Sequence, residues 1–144
     1  MSMKKILVPM DGSKISLEAA DEAVELAKKL GSEVTFLSVV ENRLPFYDTT
    51  AVPERFAQKQ SERQKETSME FEKMLNGLVR KYENSGVEIN KRILVGAIDQ
   101  KIEEIVNNEA FDLIITGRKG FSSVNVSWSP RRLKKALNPH FALY

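Results

Sequence analysis

Cysteine is absent from this 144-residue chain, and histidine occurs once, as His140. Those shortages exclude disulfide frameworks, zinc ribbons, iron–sulfur clusters, thiol redox chemistry and any His-rich metal site. No apolar run approaches the roughly 18 residues of a membrane span. The opening MSMKKILVPMDGS carries only a short apolar run broken by Pro9 and Asp11, so it does not read as a signal peptide. Neither sign of charge dominates: 22 Lys and Arg stand against 20 Asp and Glu, a net +2. That balance argues against wholesale nucleic-acid binding. The expectation is a soluble, cytoplasmic domain, and a chain of this size buries roughly 68–70% of its unfolded surface, enough for a core without staples.

What is present alternates regularly. Ile6-Leu7-Val8 is an apolar run ending at Pro9-Met10-Asp11-Gly12-Ser13, after which Leu17, Ala20, Val24, Ala27 and Leu30 recur at helical spacing. Ser13 or Ser16 can cap that helix and Gly31 can stop it. Residues 34–40 (VTFLSVV) are apolar and β-branched without alternation, as in a strand covered on both faces. Residues 41–53, with two prolines and no period, predict a loop long enough to be a lid. A charged segment from Glu54 follows. Its stripe Phe71, Met74, Leu75, Leu78, Tyr82 predicts a helix buried on one face, ended by Gly86, while 58–67 reads as solvated. Residues 87–95 predict a third strand. A third helix would be capped by Asp99, with Ile102, Ile105 and Val106 inward, and residues 112–116 (DLIIT) predict a fourth strand. Strands alternating with helices imply a parallel sheet with helices on both faces. Beyond Thr116 the pattern weakens to a short helix over 131–137 and a weak final strand over 141–144.

In an open parallel sheet, ligands sit beyond the carboxyl ends of the strands, where strand order reverses. If the first and fourth strands are neighbours there, Asp11 faces the same crevice as Gly117 and Gly120. A carboxylate at that place can accept hydrogen bonds from ribose hydroxyls, and glycines admit phosphates close to backbone N–H groups. The alternatives are a turn-forming Asp11, a tight Gly117/Gly120 turn, and solvated Arg118 and Lys119. Neither G-x-G-x-x-G after the first strand nor the P-loop pattern occurs, and no nucleophile elbow is present. Glu103-Glu104 reads as a charge complement to a helix start, not a catalytic pair.

Lys4-Lys5-Ile6-Leu7-Val8-Pro9-Met10-Asp11-Gly12-Ser13 with its Ala-rich helix resembles the opening of the universal stress proteins. The later Gly96-Ala97-Ile98-Asp99 and the segment DLIITGRKG resemble that family's second half, so the likeness covers about residues 3–120. It implies one domain over residues 1–144: a Rossmann-like sheet of the adenine nucleotide alpha hydrolase type, strand order 3-2-1-4-5, with helices on both sides. It also implies homodimerisation, commonly through the last strand, and in one branch ATP binding. In that branch Pro9, Asp11 and Val39 lie near the base, Asp11 and Gly117 hold the ribose, and Gly117 and Gly120 open the phosphate pattern G-x-x-G-x9-G-[ST]. Mg2+ would arrive with the ATP phosphates, since no protein metal site is evident.

The second half of that pattern falls on Pro130 and Arg131, where Pro offers no N–H and Arg no hydroxyl. From Arg118 onward the chain has six basic residues and no acidic one, so residues 1–117 carry a net −4 inside the overall +2. The tail 121–144, with no convincing final helix or apolar last strand, is either divergent or read in another frame. The leading functional expectation is a universal stress protein that binds an adenine nucleotide, with no catalytic residue apparent. The alternatives are a dimeric stress or signalling protein that has lost the nucleotide, and a slow ATPase.

Overall fold

A computed structural model describes residues 5–41, 54–117 and 141–143. Eight elements follow one another: β1 (Lys5–Pro9), α1 (Lys14–Leu30), β2 (Glu33–Glu41), α2 (Glu54–Lys81), β3 (Ile89–Gly96), α3 (Ile98–Asn108), β4 (Leu113–Thr116) and β5 (Phe141–Leu143). The strands form one sheet in the order β3-β2-β1-β4-β5, every pairing parallel. This is the Rossmann-like α/β arrangement, with the reversal between β1 and β4 where Ile6 pairs with Leu113 and Leu7 with Ile114. The fifth strand, weak in the sequence, is formed beside β4, with Phe141 opposite Ile114. Of the loop expected over 41–53, Glu41 is the last residue of β2 and the rest lies outside the described residues, as do the helix over 131–137 and Gly120, Pro130 and Arg131.

Two apolar layers sandwich the sheet. On one face Ile6, Val8, Val34 and Phe36 meet Ala19, Ala20, Ala23, Val24 and Ala27 of α1, Leu75 and Leu78 of α2, and Tyr82 just beyond it. On the other, Leu7, Leu37, Val39 and Ile114 meet Ile102 and Ile105 of α3, with Val106 partly buried against them. All seven residues from Val34 to Val40 are buried, as their unbroken apolarity requires. Alanines on the sheet side of α1 let that helix approach closely. Leu17 and Leu30 of the expected stripe sit on its flanks and are about two-fifths exposed.

Two local expectations are corrected and a third is extended. Asp99 does not cap α3: Ala97 holds that position without a side-chain bond. The Ala97 carbonyl accepts from Lys101 N–H at 2.9 Å, closing the first turn two residues before Asp99. Asp99 stands inside that turn, where Oδ1 accepts from Gln100 N–H at 3.1 Å. Gly86 does not end α2, which stops at Lys81. Ser85 N–H and Oγ then bond the Tyr82 carbonyl at 3.0 and 2.6 Å, and Gly86 takes φ +81° in the following turn. Finally, the solvated stretch 58–67 is helical and largely exposed, the outer half of the 28-residue α2.

One polar contact ties the two helices of the first layer. The Asp21 carboxylate of α1 accepts from the Tyr82 hydroxyl and from Lys81 Nζ, the latter at 3.0 Å. The Tyr82 hydrogen bond holds the Asp21 carboxyl below its ordinary 3.8. Burial, reinforced by Asp21, pushes the Tyr82 phenol well above its ordinary range. A depressed carboxyl contributes stability that is present above the unfolded-state pKa and lost as pH falls through the folded value. Because the Asp21 side chain is 53% exposed, the contribution is modest. Tyr82→Phe is expected to lower stability by about 1 kcal/mol at pH 7 and to flatten the loss below pH 4. Urea denaturation of both proteins at pH 7 and pH 3 measures this.

Candidate functional site

The chain leaves β1 in a turn whose conformation is fixed residue by residue. Met10 extends the pairing with β2: its N–H donates to the Leu37 carbonyl at 2.7 Å, and its carbonyl accepts from the buried Ser38 hydroxyl at 2.9 Å. Gly12 then adopts φ +83°, a left-handed conformation costly for any residue with a Cβ, and an added Cβ would press on Met74 Sδ at 3.3 Å. Ser13 caps α1, its Oγ accepting from Ser16 N–H at 3.1 Å while Ser16 Oγ donates to the Ser13 carbonyl at 2.8 Å.

Asp11 is held outward by this turn. Its Oδ1 accepts from Ser13 N–H at 2.8 Å, while the residue as a whole is exposed. The carboxylate is therefore both a turn former and an accessible acceptor at the mouth of the crevice. No acidic residue occupies the first turn of α1, so the positive end of that 17-residue helix opens at the same place.

β4 delivers Gly117 to the same point from the other side. A Cβ on Gly117 would lie 2.4 Å from Ile15 Cγ2 and 3.3 Å from the Ile15 backbone carbon. The carboxyl ends of β1 and β4 thus converge on the first turn of α1, bringing together the Asp11 turn and Gly117. Pro9 and Val39 lie on the opposite sheet face, the α3 side. Val39 packs there at 9% exposure; Pro9, buried, follows Leu7 on that face by alternation.

Two features of this region escape a reading of the sequence. One is the Gly117–Ile15 contact, made across 102 positions of chain. The other is Thr116, wholly buried, with a hydroxyl that has no hydrogen-bond partner among the described residues. Its sequence signal is slight, a single polar residue closing the run Leu113-Ile114-Ile115. At the amino end of the sheet an open hollow of about 800 Å3 is lined by Lys28, Gly31, Glu33, Ser85 and Glu88 among others. None of Pro9, Asp11, Val39, Thr116 and Gly117 lines it. No group of three or more His, Cys, Asp or Glu among the described residues could hold a metal ion, and no described helix is long and apolar enough to cross a membrane.

The universal stress protein family model matches residues 3–132. The chain belongs to the universal stress protein family. Universal stress protein MJ0531 of Methanocaldococcus jannaschii is 35% identical over 117 residues, which cover 81% of this chain and 65% of that protein; the match therefore spans just under two thirds of that relative's length. Among solved structures, universal stress protein UspA from Lactobacillus plantarum superposes with a TM-score of 0.85 at 20% identity, covering 99% of this chain and 98% of the other. A universal stress protein in complex with cAMP gives 0.70 at 17% identity, over 100% and 98% of the two chains. The Archaeoglobus fulgidus protein in complex with dAMP gives 0.64 at 18% identity, over 99% and 98%. At these identities the superpositions establish the fold, and the family model establishes the family.

Proposed function

We propose that this universal stress protein binds an adenine nucleotide, with ATP the expected ligand, in the crevice beyond β1 and β4. The observation that carries the reading is the pre-set turn that exposes the Asp11 carboxylate at the strand-order reversal, just ahead of the α1 turn against which Gly117 packs. A carboxylate accepts from ribose hydroxyls, and Gly117, whose missing Cβ leaves room for Ile15, lets the end of β4 close against the first turn of α1 at the same place. In this reading Asp11 and Gly117 hold the ribose, Pro9 and Val39 flank the base, and Gly120 belongs to the phosphate turn. Complexes of structural relatives with cAMP and dAMP support the class of ligand. Any Mg2+ comes with the phosphates. The protein would act as a cytoplasmic, homodimeric nucleotide-responsive module of one domain, in stress response or signalling.

A second reading is favoured by one observation: Pro130 and Arg131 stand where the phosphate pattern calls for G-[ST]. Loss of an N–H and a hydroxyl there weakens the hold on a triphosphate more than on a nucleoside. The chain would then be a dimeric interaction protein without a nucleotide. Mass spectrometry of small molecules released by heat from the purified protein separates the two readings. An adenine nucleotide near one per chain is the expected result. Protein free of nucleotide that also fails to take up added AMP or ATP supports the second.

A further inference from the structure

We infer that Thr116 is a specificity-determining residue of the nucleotide site, its hydroxyl hydrogen-bonding the nucleoside part of the ligand. This rests on the nucleotide reading above and deepens it. Thr116 is the last residue of β4, immediately before Gly117, at the sheet's carboxyl edge. Ile114, two residues earlier, packs with Leu7, Leu37 and Val39 on the α3 side. Alternation places Thr116 on that same face. The register Leu7 to Ile114 carries forward to set Thr116 level with Pro9. The hydroxyl therefore belongs to the side of the sheet where Pro9 and Val39 would flank the base, one residue from the glycine assigned to the ribose.

The chemistry of the side chain distinguishes it from its surroundings. Thr116 has 0% exposure, and Oγ1 is the one buried side-chain polar atom among the described residues that has no partner. The other buried hydroxyls at this end of the sheet are paired: Ser38 bonds the Met10 carbonyl, and Ser16 bonds the Ser13 carbonyl. Buried polar groups in folded proteins are almost always satisfied, and one that is not calls for a reason. A valine would fill the same space without that cost. A hydroxyl both donates and accepts, so it can satisfy a ring nitrogen, an exocyclic amine or a ribose oxygen. A nucleoside seated against the carboxyl edge of β4 would give this buried hydroxyl its first partner.

One substitution should have opposite effects on the free protein and on the complex. Thr116→Val removes an unsatisfied group from the free protein but a satisfied one from the complex. The free variant is expected to melt no lower than wild type and on the order of 3 °C higher. Its dissociation constants for adenosine, AMP and ATP are expected to rise by the same factor, about tenfold, because the contact is to the nucleoside and not to the phosphates. Thr116→Ser, which keeps the hydroxyl, is expected to bind within about threefold of wild type. Calorimetric titration of the three ligands into the three proteins, with thermal melts of each, reads all of this. A wild-type protein that binds while Thr116→Val binds equally well overturns this inference and leaves the nucleotide reading standing. So does a loss confined to ATP, or a Thr116→Val protein less stable than wild type, which would reveal an internal partner. A wild-type protein that binds none of the three overturns both.

Discussion

Gly117→Val is expected to destabilise the protein by about 3 kcal/mol, lowering Tm on the order of 10 °C. Even the first carbon of the new side chain would lie 2.4 Å from Ile15 Cγ2 and 3.3 Å from the Ile15 backbone carbon, so the change forces β4 away from the first turn of α1. Part of the cost lies in a side-chain methyl and part in the main chain. Ile15→Ala combined with Gly117→Val should therefore recover some stability, though not all, giving a non-zero coupling between two residues in contact. Thermal melts of the two single variants and the double variant measure it. Strict additivity would mean that the two ends do not meet as described. The same displacement would separate Gly117 from the Asp11 turn, so nucleotide affinity in the Gly117 variant should fall along with stability.

Asp11→Ala is expected to weaken adenine nucleotide binding by ~1–3 kcal/mol, roughly fivefold to 150-fold. The carboxylate spends Oδ1 on the Ser13 N–H, an exposed turn bond that contributes little to folding. The structural loss should thus remain well below the binding loss, and this contrast separates a ligand contact from a mere turn former. Asp11→Asn, which retains an oxygen acceptor for Ser13 N–H, serves as the second variant. It should preserve the fold while still losing the charge-assisted bonds to ribose hydroxyls. Calorimetric titration alongside chemical denaturation supplies both quantities. Unchanged affinity in Asp11→Ala would return the residue to a purely structural role.

The order of elements was legible because each depends on nearby residues. The unbroken apolar run 34–40 gives a doubly covered strand, and alternation of strands with helical stripes gives a parallel sheet; its reversal between β1 and β4 came from the family resemblance. The Asp11-Gly12-Ser13 turn was equally local, since a positive-φ glycine followed by a capping serine is written in three consecutive residues. Misreadings arose where two residues compete for one role. Asp99 is a good cap by type, yet the turn at Gly96 and Ala97 starts the helix ahead of it. Gly86 is a good helix stop by type, yet Ser85 closes on Tyr82 first. What no local pattern could disclose is long-range: the fit of Ile15 against Gly117, and the isolation of the Thr116 hydroxyl among apolar neighbours. These depend on which strands end side by side, and they bear on the crevice more closely than any motif does.

An adenine nucleotide bound in the crevice between the β1 turn and the end of β4 should stabilise the folded chain. A thermal-shift titration of the purified chain with ATP, AMP and GTP tests it most directly, because a ligand that binds only the folded state stabilises it by RT ln(1 + [L]/Kd). At about a thousandfold excess over Kd the gain is ~4 kcal/mol, a rise in midpoint on the order of 10 °C. Saturable rises are expected with ATP and AMP and a distinctly smaller one with GTP. Midpoints unmoved by millimolar ATP and AMP would contradict binding there.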